Sequence, residues 1–296
     1  MKTNLPQKVT SLRLKHDSAM KHLLVILATF IFTNFYSQTV KVMTYNLRLD
    51  VASDGDNRWD NRKTFLLGQV QFYEPDFMGV QEALPQQVHY LDSTLTQYGH
   101  IGTGRDDGKS KGEFSAIFYN SKKYKVIQQA TFWLSQTPDK PSMGWDAACN
   151  RICTYGLFEN IKTKKQLWVF NTHFDHIGNI ARTESAKLIL KKIKELNKQN
   201  LPFVLTGDFN LEEDSESIRL IASQLNDSKK CAGLVFGPEG TFNNFEFTKP
   251  VTKRIDYIFT AKTGITVIKY AVLSDSKNCR YPSDHLPVYT ELEIAK

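Results

Sequence analysis

The 296-residue chain lacks the features that mark several protein classes. It has only four cysteines, and none has a spacing typical of zinc ligands. Beyond the N-terminal segment it has no internal repeat, no low-complexity stretch and no Pro/Gly/Ser-rich linker. With 41% hydrophobic and 23% charged residues, the composition is that of a globular protein. Disordered, collagenous and disulfide-dense classes are therefore excluded.

No charge of one sign dominates the body of the chain. The whole sequence has 38 basic and 31 acidic residues, a formal charge of +7. Five of the basic residues and one acidic residue lie in positions 1–37, so the remainder has 33 basic and 30 acidic residues, or +3. A charge this small argues mildly against binding a long polyanion without sequence preference.

The N-terminus predicts export. Lys21 and His22 precede an apolar run, Leu23–Phe35, that is too short to span a bilayer. We expect a signal peptide over residues 1–37, with Met20 as an alternative start, and a secreted or periplasmic protein with no stable membrane insertion. Because Phe35 stands where signal peptidase prefers a small residue, a retained anchor stays open.

The cysteines leave two interpretations open: up to two disulfides, as an exported protein permits, or buried free thiols. Cys149 and Cys153 would lie about 13 Å apart along one strand, too far to pair. The other two are Cys231 and Cys279.

The hydrophobic periodicity predicts one α/β catalytic domain over residues 38–296. It opens with a β-α-β unit, in which a strand at Val40–Tyr45, a helix at Arg58–Tyr73 and a strand at Phe77–Val80 follow one another. Further strands are predicted at Ser115–Tyr119, Lys125–Leu134, Thr154–Asn160, Leu167–Asn171, Phe203–Thr206, Ile255–Thr260 and Leu286–Leu292. Further helices are predicted at Pro85–Leu95, Ile180–Lys198 and Ser215–Ser223. This excess of strands favours two packed sheets covered by helices.

The informative pattern is that apolar strands end repeatedly in acidic, amide or imidazole residues, which suit a hard cation and a phosphate. Glu82, with the amide oxygen of Asn46, fits a loosely held Mg²⁺ ion, and Mn²⁺ is an alternative. In Gly207-Asp208-Phe209-Asn210 both polar side chains share one face. We expect Asp208 to accept a proton from water and the NH₂ of Asn210 to donate to a phosphoryl oxygen.

Two histidines complete the predicted centre. His285 is a candidate donor to the phosphate or the leaving oxygen, with Asp256 orienting it, and its neighbour Asp284 is a candidate metal ligand. His173 is a second phosphate-facing imidazole. Asp175 and His176 are candidates for pocket lining.

At these residues the sequence resembles the endonuclease/exonuclease/phosphatase superfamily, in a bacterial branch near the Ccr4-type catalytic domain. The resemblance runs from about Val40 to the C-terminus through the motifs Tyr-Asn, Gln-Glu, Thr-His, Gly-Asp-Phe-Asn, Arg-Ile-Asp-Tyr and Ser-Asp-His-Leu-Pro, in that order. It implies a four-layer α/β/β/α sandwich with two packed mixed sheets. It also implies that Asn46, Glu82 and Asp284 surround a metal, that Asp208 is the base, that Asn210 and His173 contact phosphate, and that Asp256 pairs with His285.

On the substrate side, Arg105 in a glycine-bounded loop, Trp133 and Arg151 are predicted to bind substrate. Trp145 and Arg182 could equally be pocket lining or ordinary loop and surface residues. The sequence thus predicts a monomeric, metal-dependent phosphodiesterase or nuclease that acts on nucleic acid, a nucleotide or another phosphoester. A phosphomonoesterase for a small organic phosphate and a non-catalytic module that binds a phospholigand are the alternatives.

Overall fold

A computed structural model describes Met1 and residues 38–295 of the chain. The predicted signal peptide lies outside these described residues, apart from Met1, and residues 38–296 form one compact unit. Among the described residues, no helix is both long enough and apolar enough to cross a membrane.

The chain opens with the predicted β-α-β unit. Strand β1 (Gln38–Asn46) is followed by helix α1 (Trp59–Tyr73) and strand β2 (Phe77–Gln81). The two strands pair in parallel. Helix α1 ends at Tyr73, and the next residue, Glu74, caps it with a left-handed backbone conformation (φ +47°). The bounds differ from the predicted ones by no more than two residues.

The first sheet has seven strands in the order β10-β12-β13-β1-β2-β4-β3. Besides β1 and β2 it contains β3 (Tyr98–Ile101), β4 (Ile117–Asn120), β10 (Leu234–Phe236), β12 (Ile265–Val272) and β13 (Val288–Ile294). β13 runs antiparallel to β1, so the chain enters β13 at the edge where β1 ends.

The second sheet has six strands in the order β5-β6-β7-β8-β11-β9. These are β5 (Tyr124–Trp133), β6 (Ile152–Asn160), β7 (Gln166–His173), β8 (Phe203–Asp208), β9 (Asn226–Asp227) and β11 (Asp256–Thr260). β7 and β8 are parallel, whereas β11 is antiparallel to β8. Both sheets are therefore mixed.

The remaining helices are α2 (Pro85–Thr94), α3 (Asn179–Leu196), α4 (Glu216–Gln224) and α5 (Ser228–Cys231), and a 3-10 helix spans Ala52–Asn57. Local hydrogen bonds fix where α3 and α4 begin. The Ser215 hydroxyl accepts from the Ile218 amide at the start of α4, and the Asp146 carboxylate accepts from Ala181 in the first turn of α3.

The alternation of side chains along β1 shows how the layers form. Val40 and Val42 pack between the two sheets, while Met43 and Tyr45 point to the opposite face, where α1 and α2 cover the first sheet. Helices α3 and α4 cover the outer face of the second sheet in a separate apolar cluster. The structure thus confirms the predicted four-layer α/β/β/α sandwich.

Four strands went unpredicted: β3, β9, β10 and β12. The first three have only two to four residues, too few for periodicity to show. β12 has eight residues and a composition typical of a strand. It was missed because a register shift between Val267 and Lys269 interrupts the alternation of its side chains. All four cysteines are free thiols, but only Cys153 is buried as the second interpretation expected; Cys149 is half-buried, and Cys231 and Cys279 are exposed.

A buried polar network joins the two sheets. The Asn171 amide donates to the carbonyls of Val80 and Ala116 and accepts from Gln81 Nε2 at 2.7 Å. The sheets approach so closely here that a Cβ atom on Gly79 would lie 2.4 Å from Asn171 Oδ1. Only glycine allows this approach, and the network fixes one sheet against the other.

Candidate active site

Strand direction brings the polar strand ends to one edge of the sandwich. Asn46 ends β1, and Glu82 follows the end of the parallel strand β2. His173 and Asp208 stand opposite each other at the shared end of β7 and β8. Because β11 is antiparallel to β8, its first residue, Asp256, faces Asp208. The two sheets therefore deliver five of the predicted residues to one place.

The segment before β13 brings the last two predicted residues, Asp284 and His285. The Ser283 hydroxyl donates to the Asn46 carbonyl at 2.7 Å, which fastens this segment to the end of β1. Glu82, Asp208 and His285 each then offer a ligand atom within 4.8 Å of the others. Both Asp284 and His285 are buried. The structure thus assembles a compact polar centre from chain segments far apart in sequence.

Asn46 lies differently from the prediction. Its Nδ2 donates to Glu82 Oε1 at 3.0 Å and to Asp208 Oδ2 at 2.9 Å, while its Oδ1 accepts from the Arg48 amide. The amide oxygen, predicted as a metal ligand, is therefore turned away from the carboxylates. In this arrangement Asn46 orients the two acidic side chains.

Asp208 is a buried carboxylate in a crowded electrostatic environment. Burial, together with the nearby Asp256 carboxylate, raises the pKa of Asp208 to about 7. The Asn210 amide donates to its Oδ1 at 2.8 Å. A carboxylate with a pKa near neutrality is suited to accept a proton from water.

His285 and Asp256 form the predicted pair. His285 Nδ1 lies 2.8 Å from Asp256 Oδ2, an oxygen to which the Thr241 hydroxyl also donates. Burial acts to lower the pKa of His285, but the carboxylates of Asp256 and Asp208 outweigh it and raise that pKa well above its ordinary value. The Nε2 atom points toward Asp208, 3.8 Å from its Oδ2. His285 is therefore a charged donor.

His173 and Asn210 form a second pair, with a different hydrogen-bond assignment from the expected one. Asn210 Nδ2 lies 3.0 Å from His173 Nε2 and 3.1 Å from the Phe174 carbonyl, so both of its hydrogens are engaged. Donation from Asn210 to a phosphoryl oxygen would require one of these bonds to break. Burial, with the guanidinium groups of Arg151 and Arg105 nearby, lowers the pKa of His173 well below its ordinary value, so this imidazole is neutral.

Arg105 and Arg151 line one wall of the cleft. Arg105 Nη1 lies 2.7 Å from Glu113 Oε2, and Arg151 Nε lies 3.4 Å from Asp175 Oδ2. Arg151 Nη2 is 3.0 Å from His176 Nδ1, and His176 also lines the cleft. Arg105 Nε and Arg151 Nη1 have no hydrogen-bond partner among the described residues. An anion in the cleft would relieve these unpaired donors.

Sequence reasoning missed Glu113 and Arg48. Glu113 follows no apolar strand and anchors Arg105, and burial raises its pKa. Arg48 takes a left-handed backbone conformation (φ +57°) just after β1. It pairs with Asp54 at 2.9 Å and lies within 4 Å of two cleft carboxylates, Glu82 and Asp284. The only signal for Arg48 was its place two residues after Asn46.

One of the three predicted substrate residues, Trp133, lies outside the cleft, as do three other candidates for pocket lining. Trp133 is buried, and its indole donates to the Arg105 carbonyl at 2.7 Å, so it supports the loop that carries Arg105. It does not line the cleft, and neither do Trp145, Asp175 and Arg182. Asp175 accepts the amides of residues 177 and 178 and thereby shapes the turn before α3.

The cleft has a volume of about 400 Å³. It is lined by five carboxylates, from Asp54, Glu82, Glu113, Asp208 and Asp284, and by four permanent cations, from Arg48, Arg105, Arg151 and Lys253. With the charged imidazole of His285, which also lines the cleft, the cations only balance these carboxylates before any substrate binds. A phosphate would therefore bring excess negative charge into the cleft. A divalent cation would offset that charge, and Glu82 together with Asp284 or Asp208 provides the oxygen ligands that it prefers. The residues present therefore fit a divalent metal.

Sequence comparison identifies the family. The model of the Endonuclease/Exonuclease/phosphatase family matches residues 43–285. The chain belongs to this family. Its members cleave phosphoester bonds, and the predicted fold and enzyme class agree with that assignment. The matched range begins in β1 and ends at His285, so it includes every residue of the polar centre.

Solved structures of family members are similar over nearly their whole length. An endonuclease/exonuclease/phosphatase family protein from Bacteroides thetaiotaomicron is 39% identical, with a TM-score of 0.85 over 88% of this chain and 100% of that one. A mannosyl-6-phosphatase from the same organism is 41% identical, with a TM-score of 0.82 over 86% of this chain and 99% of the other.

A more distant relative is human nocturnin, 22% identical over 87% of this chain. The match covers 66% of nocturnin itself, and a match to a mimiviral protein covers 60% of that protein. The chain thus spans less than two thirds of these two curated relatives.

Proposed function

We propose that the protein is an exported, divalent-metal-dependent phosphomonoesterase that acts on a phosphorylated sugar. The observation that carries this proposal is the 41% identity to a mannosyl-6-phosphatase along almost the whole catalytic domain. A nuclease, the sequence's first expectation, becomes the second candidate.

The cleft geometry supports a terminal phosphate. A phosphomonoester carries up to two negative charges and three non-bridging oxygens, which need several donors at once. Arg105 and Arg151 bring guanidinium donors to one wall of the cleft, and His285 brings a charged imidazole from the segment before β13. About 400 Å³ suits one small organic phosphate.

The residues take separate roles in hydrolysis. Asp208 accepts a proton from the attacking water, since its raised pKa keeps it a competent base near neutral pH. His285 donates from Nε2 to the phosphate, and Asp256 holds its ring in place through Nδ1. Asn46 keeps Glu82 and Asp208 in position. A bound divalent cation would neutralise charge on the phosphoryl oxygens.

The second candidate has one observation in its favour. Phe242 and Phe245 line the cleft, and either ring could stack on a base, although it could equally contact the apolar face of a sugar. The surface around them is not strongly basic, because Asp54 and Glu113 line the same cleft. A phosphodiester substrate therefore stays second.

A substrate panel separates the candidates. The purified protein would be assayed with Mg²⁺ or Mn²⁺ on mannose 6-phosphate, p-nitrophenyl phosphate, bis-p-nitrophenyl phosphate and a short oligonucleotide, each with and without EDTA. We expect phosphate release from the monoesters, loss of activity with EDTA, and loss in Asp208→Asn. Turnover of the diesters alone would move the assignment to the nuclease.

Export is tested separately. Cells would express the full chain, a chain that starts at Met20 and a chain that starts at Gln38. We expect phosphatase activity outside the cytoplasm for the first two and inside it for the third. Equal retention of all three in the cytoplasm would contradict export.

A further inference from the structure

A second depression lies beside the catalytic cleft and is larger than it. Its volume is about 630 Å³. The 3-10 helix, the exposed side of α1 and the segment before β13 form it, and we call it the distal groove. Its lining includes Asn57, Asn61, Phe65, Asn278 and Tyr281.

The distal groove and the catalytic cleft are two sides of one wall. In the 3-10 helix, Asp54 lines the cleft whereas Asp56 and Asn57 line the groove. Before β13, Pro282 lines the groove, and Asp284, two residues later, lines the cleft. The cleft and the groove are therefore neighbours separated by this wall, and an extended molecule held by its phosphate in the cleft would reach the groove by crossing the rim of the wall.

Arg62 holds this wall rigid. Its guanidinium donates to the carbonyl of Arg48 at 2.6 Å, to that of Pro282 at 3.1 Å and to that of Leu47. Its Nε donates to the carbonyl of Asn57 at 2.9 Å. Four of its five N–H groups are thus engaged with backbone, so Arg62 serves as a structural tie more than as an anion-binding group.

The chemistry of the groove suits a neutral, polyhydroxylated ligand. The amides of Asn57, Asn61 and Asn278 offer donors and acceptors for hydroxyl groups, and the half-buried rings of Phe65 and Tyr281 offer flat apolar surface. These two features together match the alternating polar edges and apolar faces of a sugar ring.

The charges of the groove argue against an anion. Arg280 Nη2 lies 2.9 Å from the Asp56 carboxylate, so this cation is already paired. Lys277 also lines the groove, but a single exposed lysine is weak support for a polyanion. An extended nucleic acid would need more positive charge than this.

We propose that the distal groove binds the unphosphorylated sugar residues of an oligosaccharide whose phosphorylated unit occupies the catalytic cleft. This inference rests on the proposed function and narrows its substrate class from a free sugar phosphate to a phosphorylated oligosaccharide. The groove then contributes to substrate affinity without touching the phosphate.

Gly68 offers a selective way to block the groove. It lies on the exposed side of α1, and a Cβ atom there would meet nothing within 4 Å. Gly68→Trp therefore places an indole in the groove without backbone strain. Gly68→Ala is the matched control, because it makes the same backbone change and leaves the space open.

The experiment compares kcat/KM for mannose 6-phosphate and for a mannotriose carrying one terminal 6-phosphate. We expect the unaltered protein to prefer the trisaccharide by about tenfold or more, Gly68→Trp to abolish that preference, and mannose 6-phosphate turnover to stay unchanged. Gly68→Ala should behave like the parent protein. Equal turnover of both substrates by the parent, or an unchanged preference in Gly68→Trp, would overturn the inference.

A binding measurement separates failure of this inference from failure of the proposed function. Unphosphorylated mannotriose would be titrated into the full protein and into Gly68→Trp by calorimetry. Binding that Gly68→Trp abolishes supports the groove even if no sugar phosphate is hydrolysed. If hydrolysis of mannose 6-phosphate occurs but mannotriose does not bind, the function stands and the groove assignment fails.

Discussion

Asp256→Asn tests the electrostatic core of the site. The substitution nearly preserves side-chain volume and can retain a hydrogen bond from Thr241, but it removes the negative charge that lies 2.8 Å from His285 Nδ1. We expect His285 to lose its fixed orientation and part of its positive charge. The donor that faces the phosphate would then be weaker.

The distances set the size of the effect. With an effective dielectric constant of about 20, opposite unit charges at 2.8 Å attract by roughly 6 kcal/mol. The Asp208 carboxylate, 3.8 Å from His285 Nε2, attracts the imidazolium by roughly 4 kcal/mol by the same reasoning, and this attraction remains in the variant. Desolvation offsets part of each attraction. We therefore expect kcat to fall by about 10² to 10⁴, equivalent to about 3–5 kcal/mol of barrier.

The chain contains a matched control for this substitution. On the surface, Asp92 Oδ1 lies at the same 2.8 Å from His100 Nδ1, but the two side chains are 44% and 29% exposed. Because exposed pairs contribute about 0–1 kcal/mol, Asp92→Asn should change stability little and leave kcat untouched. The two substitutions thus remove an aspartate at the same distance from a histidine, and the two pairs differ in their burial and in their location.

Steady-state kinetics and an NMR titration of the imidazoles decide the outcome. We expect the pKa of His285 to be lower in Asp256→Asn than in the parent. If Asp256→Asn keeps kcat within about threefold of the parent, or if Asp92→Asn loses as much, the assignment of His285 as an Asp256-supported donor is wrong.

Three further predictions follow from the same geometry. Since the pKa of Asp208 is raised to about 7, the metal-free protein should lose stability as the pH rises from about 4 to about 7. Asp208→Asn removes the charge and should therefore raise Tm at pH 8 by several degrees relative to the parent. Added Mg²⁺ should reduce this difference in Tm between the variant and the parent. Gly79→Ala should lower the free energy of unfolding in urea by about 2–4 kcal/mol, because its methyl group would lie 2.3 Å from Thr206 Oγ1. An unchanged urea midpoint of unfolding would contradict the close packing of the two sheets. Arg105→Lys should raise KM for a phosphomonoester about tenfold with less change in kcat, since lysine lacks the planar guanidinium donors. If initial rates show instead a large fall in kcat with little change in KM, Arg105 acts in the chemical step.

The elements that the sequence predicted well are those with a clear period, and most of them have five or more residues. Strand β7 was expected to end at Asn171 and ends two residues later, at His173. Strand pairing was beyond the sequence, because the contact between β7 and β8 depends on how α3 returns the chain to the sheet. Without that pairing, the sequence could not predict that His173 and Asp208 stand opposite each other.

The predicted residues meet, but the side-chain amides of Asn46 and Asn210 form hydrogen bonds other than the expected ones. An amide's orientation is set by its neighbours: the Phe174 carbonyl requires the NH₂ of Asn210, and the Arg48 amide requires the oxygen of Asn46. No sequence pattern encodes such partners. Trp133 shows the same limit, since only the fold determines that its ring lies beneath Arg105 rather than in the cleft.

The site is divided between the two sheets, and this division explains the position of the buried polar network. Segments next to the first sheet supply Glu82 and His285, whereas the second supplies Asp208 and Asp256. A shift of one sheet against the other would separate the 2.8 Å pair of His285 and Asp256. Asn171 forms hydrogen bonds across the interface between the sheets and opposes such a shift. The same reasoning predicts that loosening the interface lowers catalysis before it unfolds the protein, because hydrogen-bond geometry fails at smaller displacements than apolar packing does.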